Sequence, residues 1–468
     1  MSAVRSHARL ILVLVAFFGW VDSTPLYGPV LAGLAVARKI PFGPLPLWFL
    51  AAHAVGLVTW GHVLDRRPTL SRWLVSAAAL ACALLATSFL VVPPPDWRFV
   101  LAAMGLVAGA PMVSWGRWFS LSVPAAALGR TFGVTAATII LVGKVLAITG
   151  PVLGPLPALL ASLLLPLAAA AVAWDFSPAP CGDRPGSESA GTTLGGVRVR
   201  SRVGDLTRFA LFIICFSLVA GLSYRFFIAV PVTPYTNNTV RLLPYVGTVL
   251  ASGWLVDRRR LMTPMIIGAG MLALAFLIGA WANPAGQYVG LGLNGGALGL
   301  LESAPWLLLA ANAGAQTAGR WFGWGLNLNV VPIFLGGALT AGVRHMDPRT
   351  LGLLAAVALL LAILALYGVR DPVEPLRANP PQPAAAPTAT SLAGLFGTQL
   401  STRELEVGEL AVAGLSTRDI AQRLYISENT VKTHLRHVYR KTGTGGRGEL
   451  LRRLLPGHQD ASPAAPPR

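Results

Sequence analysis

The chain of 468 residues contains 54% hydrophobic and only 12% charged residues, and its mean hydropathy is +0.62. This composition excludes an ordinary water-soluble protein of two or three domains and predicts that most of the chain lies in a membrane. The formal net charge of +18 must be mapped onto loops and helices before it can indicate a nucleic-acid partner.

Twelve apolar segments follow one another along the chain, each about as long as the roughly 20 residues that span a bilayer. The basic start at Arg5 and Arg9 imitates a signal peptide, but the first run lacks an obvious cleavage site and equally apolar segments follow it. We therefore predict twelve membrane helices, at residues 11–36, 45–64, 73–93, 99–116, 132–150, 154–174, 208–232, 242–256, 261–282, 287–312, 322–343 and 350–369.

A polar stretch at residues 175–207 separates the first six segments from the second six. Residues 1–174 and 208–370 are therefore predicted to form two six-helix halves joined by a cytoplasmic loop. With the N-terminus inside, 18 arginines fall at cytoplasmic ends and 6 basic residues fall outside. Because basic loops stay in the cytoplasm, the bias predicts a multi-pass protein of the cytoplasmic (inner) membrane with both termini in the cytoplasm.

Two short motifs occur once in each half. Residues 61–67 (GHVLDRR) recur at 253–259 (GWLVDRR), an offset of 192, and residues 116–119 (GRWF) recur at 319–322, an offset of 203. A duplicated bundle predicts such repeats. The first motif resembles the loop signature of the major facilitator superfamily, although the later glycine of that signature is absent. The resemblance covers roughly residues 8 to 370 and implies a transporter-like bundle.

The repeated motif also has a physical interpretation. A glycine allows close helix approach, and an aspartate at the membrane edge can accept hydrogen bonds from the start of a neighbouring helix and pair with adjoining arginines. Arginines that merely snorkel beside loops would explain the basic residues but not the repeat. The predicted gate residues are Gly61, Asp65 and Arg66 in the first half, and Gly253, Asp257 and Arg258 in the second.

Membrane segments that contain charges suggest a ligand site, because intramembrane charges are costly. Asp22 and Arg225 differ by 203 positions, so they are predicted to face each other across the pseudo-twofold axis. The alternative is that such charges form buried structural pairs. The candidate ligand-binding residues are Asp22, Arg225, Tyr224, Glu302, Lys144, Trp306 and Asn312.

The chain changes character after the twelfth segment. Residues 371–396 are rich in proline and alanine and predict an extended linker, and residues 456–468 have the composition of a disordered tail. Between them, residues 397–455 have the pattern of four short helices. Ser401 and Glu404 can form a capping box, Ser427 can cap the third helix, and Gly443 can end it.

The third of these helices combines a packing stripe with a basic face that contains no acid. The surrounding pattern comprises Leu400-Ser-Thr-Arg403-Glu404, Gly414-Leu415-Ser416, Asp419-Ile420-Ala421, Ile426-Ser427, Thr430-Val431-Lys432-Thr-His434 and Lys441-Thr-Gly443. This pattern resembles the LuxR-type helix-turn-helix domain over its whole length, with departures at Gly408, Thr442 and Thr444. The resemblance implies binding to double-stranded promoter DNA and dimerisation through the fourth helix.

By the same resemblance, the third helix supplies the DNA contacts. The predicted groove-facing residues are Asn429, Thr430, Val431, Lys432, His434 and Arg436, and Arg440 and Lys441 are predicted to contact phosphate. A single cation on a helix is more often a solvated surface group. His434 fits a structural hydrogen bond as well as a base contact, and Val431 also fits the packing stripe with Leu435.

These features predict an all-α protein with a twelve-helix membrane bundle and a small four-helix DNA-binding domain. The favoured function is a membrane-bound, one-component transcriptional regulator that senses a small molecule through the bundle. The alternative is an active secondary transporter with a fused regulatory domain. No catalytic constellation or cofactor motif is present, and Cys82, Cys181 and Cys215 lack metal-site spacing, so neither an enzyme nor a metal or cofactor site is predicted.

Overall fold

A computed structural model describes residues 2–26, 28–124, 127–174, 176, 193–194, 197–198, 203–228, 234–258, 261–281, 284–314, 316–342, 346–366, 369, 392, 396, 399–412, 414–424 and 426–454. The chain divides into two compact units, Met1–Leu376 and Arg377–Arg468. Most of the predicted linker and the whole predicted tail at 456–468 lie outside the described residues.

The first half of the membrane unit follows the predicted segments closely. Its helices are α1 (Ser2–Ser23), α2 (Pro29–Ala37), α3 (Leu45–Arg66), α4 (Ser71–Thr87), α5 (Trp97–Ser122), α6 (Leu128–Leu153) and α7 (Pro155–Ala173). The first predicted segment is divided, because α1 ends at Ser23 and α2 begins after Gly28 with a proline at its start. Proline suits a first helical turn because its missing N–H has no partner there in any case.

The second half repeats this arrangement. Its helices are α8 (Val203–Ile228), α9 (Pro234–Asp257), α10 (Met262–Trp281), α11 (Pro284–Leu301), α12 (Ser303–Asn312), α13 (Ala318–Gly342) and α14 (Pro348–Ala365). The tenth predicted segment is divided at Glu302. Two features fall inside the predicted loop at 175–207: α8 begins there, and β1 (Thr193–Leu194) pairs antiparallel with β2 (Val197–Arg198), Thr193 opposite Arg198. This short hairpin is an exception to the predicted all-α class.

Nine of the described helices are long and apolar enough to cross a membrane, judged by length and composition. The first, eighth and tenth predicted segments are not among them. Two of these three are the divided segments, and the third, α9, begins with the polar stretch at residues 235–241. The membrane unit is therefore a helical bundle of multi-pass type.

Within the described part of the C-terminal unit, residues 399–454 contain the four helices that the sequence predicts. They are α15 (Thr402–Val412), α16 (Thr417–Leu424), α17 (Glu428–Thr442) and α18 (Arg447–Leu454). The core between the first three helices is formed by Val407, Ala411, Ile420, Ala421, Val431 and Leu435. A second cluster contains Leu392 and Phe396, which the sequence assigns to the linker, together with Leu400, Val438, Leu450 and Leu454. The folded unit thus includes residues that precede position 397.

Candidate functional site: a recognition helix and the contacts between the membrane halves

Helix α17, the predicted recognition helix, has well-defined ends. The extended Ser427 accepts a hydrogen bond from the Thr430 N–H at its Oγ, at 3.1 Å, which satisfies one of the free amides of the first turn. At the other end Gly443 adopts a left-handed conformation with φ of 63°, and the Thr444 N–H donates to the Tyr439 carbonyl at 2.9 Å. Hydrogen bonds therefore fix both ends of the helix.

One face of α17 is buried, and this corrects the prediction for Val431. The Val431 side chain is fully buried, as is Val438, and Leu435 is 9% exposed. These positions recur at the i, i+4 and i+7 spacing of a helix face that packs against a core. Val431 is thus a core residue and has no surface with which to contact a base.

The opposite face of α17 carries the predicted cations. Lys432, Arg436 and Arg440 are all exposed and lie four residues apart, so they form one stripe along the helix. Asn429 is exposed, whereas His434 is half-buried. Such a basic stripe on an amphipathic helix can contact phosphates while its N-terminal residues reach base edges.

The start of α17 is bordered by two further polar groups and by a groove of about 500 Å³. Arg418 and Gln422 of α16 line this groove and are exposed. Thr430, a predicted groove-facing residue, takes part in the helix cap, because its hydroxyl lies 2.8 Å from the Ser427 hydroxyl. Arg418 and Gln422 were absent from the predicted set, although their place one helix before α17 could have suggested them.

Lys441 differs from Arg440, the other predicted phosphate contact, because it forms an ion pair with Glu404 within the domain. Its Nζ donates to Glu404 Oε2 at 2.7 Å, and the Ser401 N–H donates to the same oxygen at 2.8 Å. Chiefly because of the hydrogen bond from Lys441, and then that from Ser401, the pKa of Glu404 is lowered from 4.5 to about 2. The predicted capping box at Ser401 therefore extends into a link between α15 and α17.

The two threonines that depart from the LuxR-type pattern are buried, with their hydroxyls hydrogen-bonded. Thr442 Oγ1 donates to the Val438 carbonyl at 2.8 Å and lies 2.9 Å from Thr444 Oγ1. A buried hydroxyl is costly only when it lacks a partner. These departures are therefore compatible with the fold.

In the membrane unit, two aspartates join the halves in the same way. Asp65, at the end of α3, accepts the Gly319 N–H at 2.8 Å, the Arg320 N–H at 3.1 Å and Arg320 Nε at 2.8 Å. Asp257, at the end of α9, accepts the corresponding three donors of Gly129 and Arg130 at 2.7, 3.1 and 2.7 Å. Each carboxylate thus caps the first turn of a helix from the other half and pairs with its arginine. We call these contacts the two clamps.

Close backbone approach makes the clamps possible. A Cβ atom on Gly61 would lie 2.7 Å from the Gly319 carbonyl oxygen, and a Cβ on Gly253 would meet the Gly129 carbonyl. Both glycines are thus required by the helix crossings themselves. The motif arginines have other surroundings: Arg66 is exposed, and Arg258 stacks over the Trp254 ring at 3.5 Å.

The clamps correct the second predicted repeat. The structural counterpart of Gly319 and Arg320 is the pair Gly129 and Arg130, in the sequence GRTF, and not the GRWF motif at 116–119. Residues 116–119 lie in the last turns of α5, where Arg117 interacts electrostatically with Asp65. At the clamps the two halves are offset by 190 residues for the glycine–arginine pair and by 192 for the aspartate. The pairing of Asp22 with Arg225 stays a prediction, because the side chain of Arg225 lies outside the described residues.

Trp306, predicted to bind ligand, lies in a packed aromatic cluster beside the clamps. Its ring centroid is 5.3 Å from that of Trp115 and 5.8 Å from those of Phe132 and Phe322, so the cluster draws on both halves. Asn312 donates to the Leu308 carbonyl of its own helix at 2.8 Å. Both residues therefore have structural contacts at this end of the bundle, and their role in ligand binding stays a prediction.

Three of the remaining ligand candidates, Asp22, Lys144 and Glu302, form a polar cluster farther along the helices. Asp22 interacts electrostatically with Lys144 and Arg241, and Glu302 interacts with Asp22 and accepts a hydrogen bond from the Tyr245 hydroxyl. Lys144 is 14 residues beyond Arg130 on α6, or about 21 Å along the helix. The predicted set lacks Arg241, which is one of the six basic residues assigned to the outside, and Tyr245, which is an uncharged residue of the eighth predicted segment.

This cluster draws on both halves and on both divided segments. Asp22 lies at the C-terminal end of α1, and Glu302 directly follows α11. A carboxylate at that end of a helix is disfavoured by the helix dipole, so it needs cations or hydrogen-bond donors nearby. The side chains of Tyr224 and Arg225 lie outside the described residues. Among the side chains that the structure describes, no three His, Cys, Asp or Glu groups are placed to hold a metal ion.

Comparison with known proteins agrees with this division of the chain. Residues 398–454 match the family described as bacterial regulatory proteins, luxR family. The spore germination protein GerE of Bacillus subtilis is 43% identical over 56 residues, which is 12% of this chain and 76% of GerE. A relative from Aeromonas salmonicida, described as an HTH-type transcriptional regulator in the exeN 3′ region, is 40% identical over 82 residues. The match covers 16% of this chain and 42% of that relative.

The membrane unit resembles transporters in fold. The human organic anion transporter MFSD10 superposes with a TM-score of 0.59 at 15% identity, covering 78% of this chain and 98% of the transporter. The major facilitator superfamily transporter FucP, in its outward conformation, gives a TM-score of 0.58 at 12% identity with the same coverage. At such identities the likeness concerns the fold alone.

Proposed function

Because this chain belongs to the LuxR family of bacterial regulatory proteins through its C-terminal domain, we propose that it is a membrane-bound, one-component transcriptional regulator. In this proposal the transporter-like bundle spans the cytoplasmic membrane twelve times, with both termini in the cytoplasm. It binds a small molecule, and the C-terminal domain binds promoter DNA as a dimer. No enzymatic reaction, metal or cofactor is part of the proposal.

The observation that carries this proposal is that one chain combines a LuxR-type domain with a bundle whose two halves meet through clamps and charges. The clamps join α3 to α13 and α9 to α6, so separation of the halves at that end must break both. The polar cluster lies about 20 Å away along α6 and also spans both halves. A ligand that binds this cluster differently in two arrangements of the halves would shift their populations.

A ligand at this cluster would have to satisfy charges of both signs. Asp22 and Glu302 are the acidic side chains of the cluster, and Lys144 and Arg241 are its basic side chains. Intramembrane charges are rare because they are expensive to desolvate, and where present they commonly serve binding or coupling. Asp22 is also held against the backbone of α6, since a Cβ on Gly143 would lie 2.8 Å from Asp22 Oδ2.

The second candidate is a secondary transporter with a fused regulatory domain. It is favoured by the same polar cluster, because titratable groups at interrupted helices can couple transport to an ion or proton. The two functions differ in whether substrate crosses the membrane.

A paired experiment separates them. Compounds are screened for thermal stabilisation of the full chain in detergent, and those that bind are tested for uptake by counterflow in vesicles and for promoter activity in cells. The sensor proposal expects ligand-dependent promoter activity without uptake, and loss of the response in Asp22→Asn. Uptake that Asp22→Asn abolishes would instead identify a transporter.

A further inference from the structure

We propose that the C-terminal unit contains a docking site for the end of its own linker, and that release of the linker from this site lowers the affinity of the unit for DNA. The occupant is Leu392 together with Phe396, which we call the anchor pair. The docking contact stands independently of ligand sensing. Its effect on DNA rests on the proposed function.

The first support is a notch in α15. Gly408 lies in the middle of this helix, where glycine is unfavourable compared with alanine. A Cβ atom at this position would lie 2.6 Å from Leu392 Cδ2 and 3.6 Å from Val438 Cγ1. The missing side chain therefore makes room for Leu392 between α15 and α17. Gly408 is also a departure from the LuxR-type pattern. The residue that departs from the pattern is thus the one that makes room for Leu392.

The second support is burial. Leu392 is only 3% exposed and shares a cluster with Leu400, Val438, Leu450 and Leu454. Phe396 is partly buried against the same cluster, and its carbonyl accepts the N–H groups of Gln399 at 2.9 Å and Leu400 at 3.1 Å. Leu392 is thus held by apolar contacts, and Phe396 is held by apolar contacts and by the hydrogen bonds to its carbonyl.

The position of the docking site connects the linker to the helices that matter for DNA. Val438 belongs to α17, the predicted recognition helix, and Leu450 and Leu454 belong to α18. Undocking would uncover apolar side chains of both helices and loosen the C-terminal part of α17. The anchor pair lies at the C-terminal end of the predicted linker and is the first part of the C-terminal unit that the structure describes. A force or rearrangement carried along the linker would therefore act on this contact.

Two substitutions release the anchor pair by different routes. Leu392→Ala removes the side chain that fills the notch. Gly408→Leu fills the notch from α15 itself, so Leu392 is displaced while the cluster keeps its apolar cover. Glu409→Ala is the matched control, because Glu409 is the exposed neighbour of Gly408 on the same helix.

The full-length protein in nanodiscs is measured in two ways: by hydrogen exchange, and by fluorescence anisotropy with a short DNA duplex of arbitrary sequence at low salt. Both releasing variants are expected to speed exchange of the Gln399 and Leu400 amides about tenfold and to weaken DNA binding at least about threefold. The Ile420 amide, which donates to the Ser416 carbonyl at the start of α16, should exchange at an unchanged rate, showing that the domain remains folded.

Unchanged exchange at Gln399 and Leu400 in both variants would overturn the docking site. Faster exchange with unaltered DNA affinity would overturn the link between docking and DNA binding. If the wild-type protein fails to bind the duplex at all, the proposed function fails together with the DNA part of this inference, and the exchange data alone then decide whether the docking site exists.

Discussion

Replacing Glu404 with glutamine should loosen the attachment of α17 to α15. The folded domain holds the pKa of Glu404 at about 2, compared with 4.5 for the free side chain, and the gap between these values is equivalent to roughly 3 kcal/mol. Because the Lys441 side chain is 38% exposed, solvent screening reduces the expected loss to about 1 to 2 kcal/mol. The substitution keeps the size of the side chain, so the loss reports the charge and its hydrogen bonds.

Hydrogen exchange of the full-length protein measures this loss as the free energy of local opening of α15 and α17. The matched control is Glu406→Gln, because Glu406 forms an exposed ion pair with Arg403 at 2.6 Å on the same helix. That pair should contribute less than about 0.5 kcal/mol. Equal losses in the two variants would refute the assignment of Glu404 as the link between the helices.

The same variant makes a prediction about pH. The pKa of Glu404 is lower in the folded state than in the unfolded state, so the stabilisation is fully present above about pH 4.5 and is lost as the pH falls toward 2. The wild-type protein and Glu404→Gln should therefore converge in opening free energy across that range. A difference that persists at the acid end would mean that the carboxylate is not its source.

Three further outcomes are expected. Asp65→Asn and Asp257→Asn should each destabilise the membrane unit by about 1 to 3 kcal/mol, measured as a lower thermal midpoint of the reconstituted protein, because each leaves the first turn of a helix less well capped; an unchanged midpoint in both would argue against the clamps. Arg440→Ala should reduce the dependence of log affinity for DNA on log salt by about one, whereas Lys441→Ala should reduce it less, because Lys441 is bound to Glu404. Equal reductions would show that Lys441 also reaches phosphate. Residues 377–468 expressed alone should be soluble and bind DNA weakly until dimerised, as judged by anisotropy and light scattering; tight binding by a monomer would contradict control through assembly.

Local features of the sequence were sufficient to predict most of the helices, but not the hairpin or the division of the first and tenth segments. Segment length and hydropathy located the membrane helices, and the capping residues Ser401, Ser427 and Gly443 located helix ends, because each of these signals acts within a few residues. The burial of Val431 also followed from its spacing to Leu435. The LuxR-type motif made Val431 a contact candidate as well, and the structure resolves this conflict in favour of packing.

Contacts between distant parts of the chain were the main source of error. The aspartate motif indicated that a helix start would be bound, but not that the bound helix would come from the other half, 254 residues away for Asp65 and Gly319. The GRWF match was misleading because residues 116–119 are identical in sequence to 319–322 but occupy a different place in the first half. The structurally equivalent residues are 129–132, with the sequence GRTF. Lys441 and Glu404 are 37 residues apart, so no local periodicity could connect them.

The two clamps also affect the equilibrium between joined and separated halves. Each is an independent closure, and duplication has placed both across the same interface, so the halves separate there only while both are broken at once. If each clamp opens with a small equilibrium constant, the fraction of molecules with both clamps open scales with the product of the two constants. A change that raises both constants by the same factor therefore raises this fraction by the square of that factor. The bundle therefore responds to a shared perturbation more steeply than to damage at either aspartate, as expected of a threshold element.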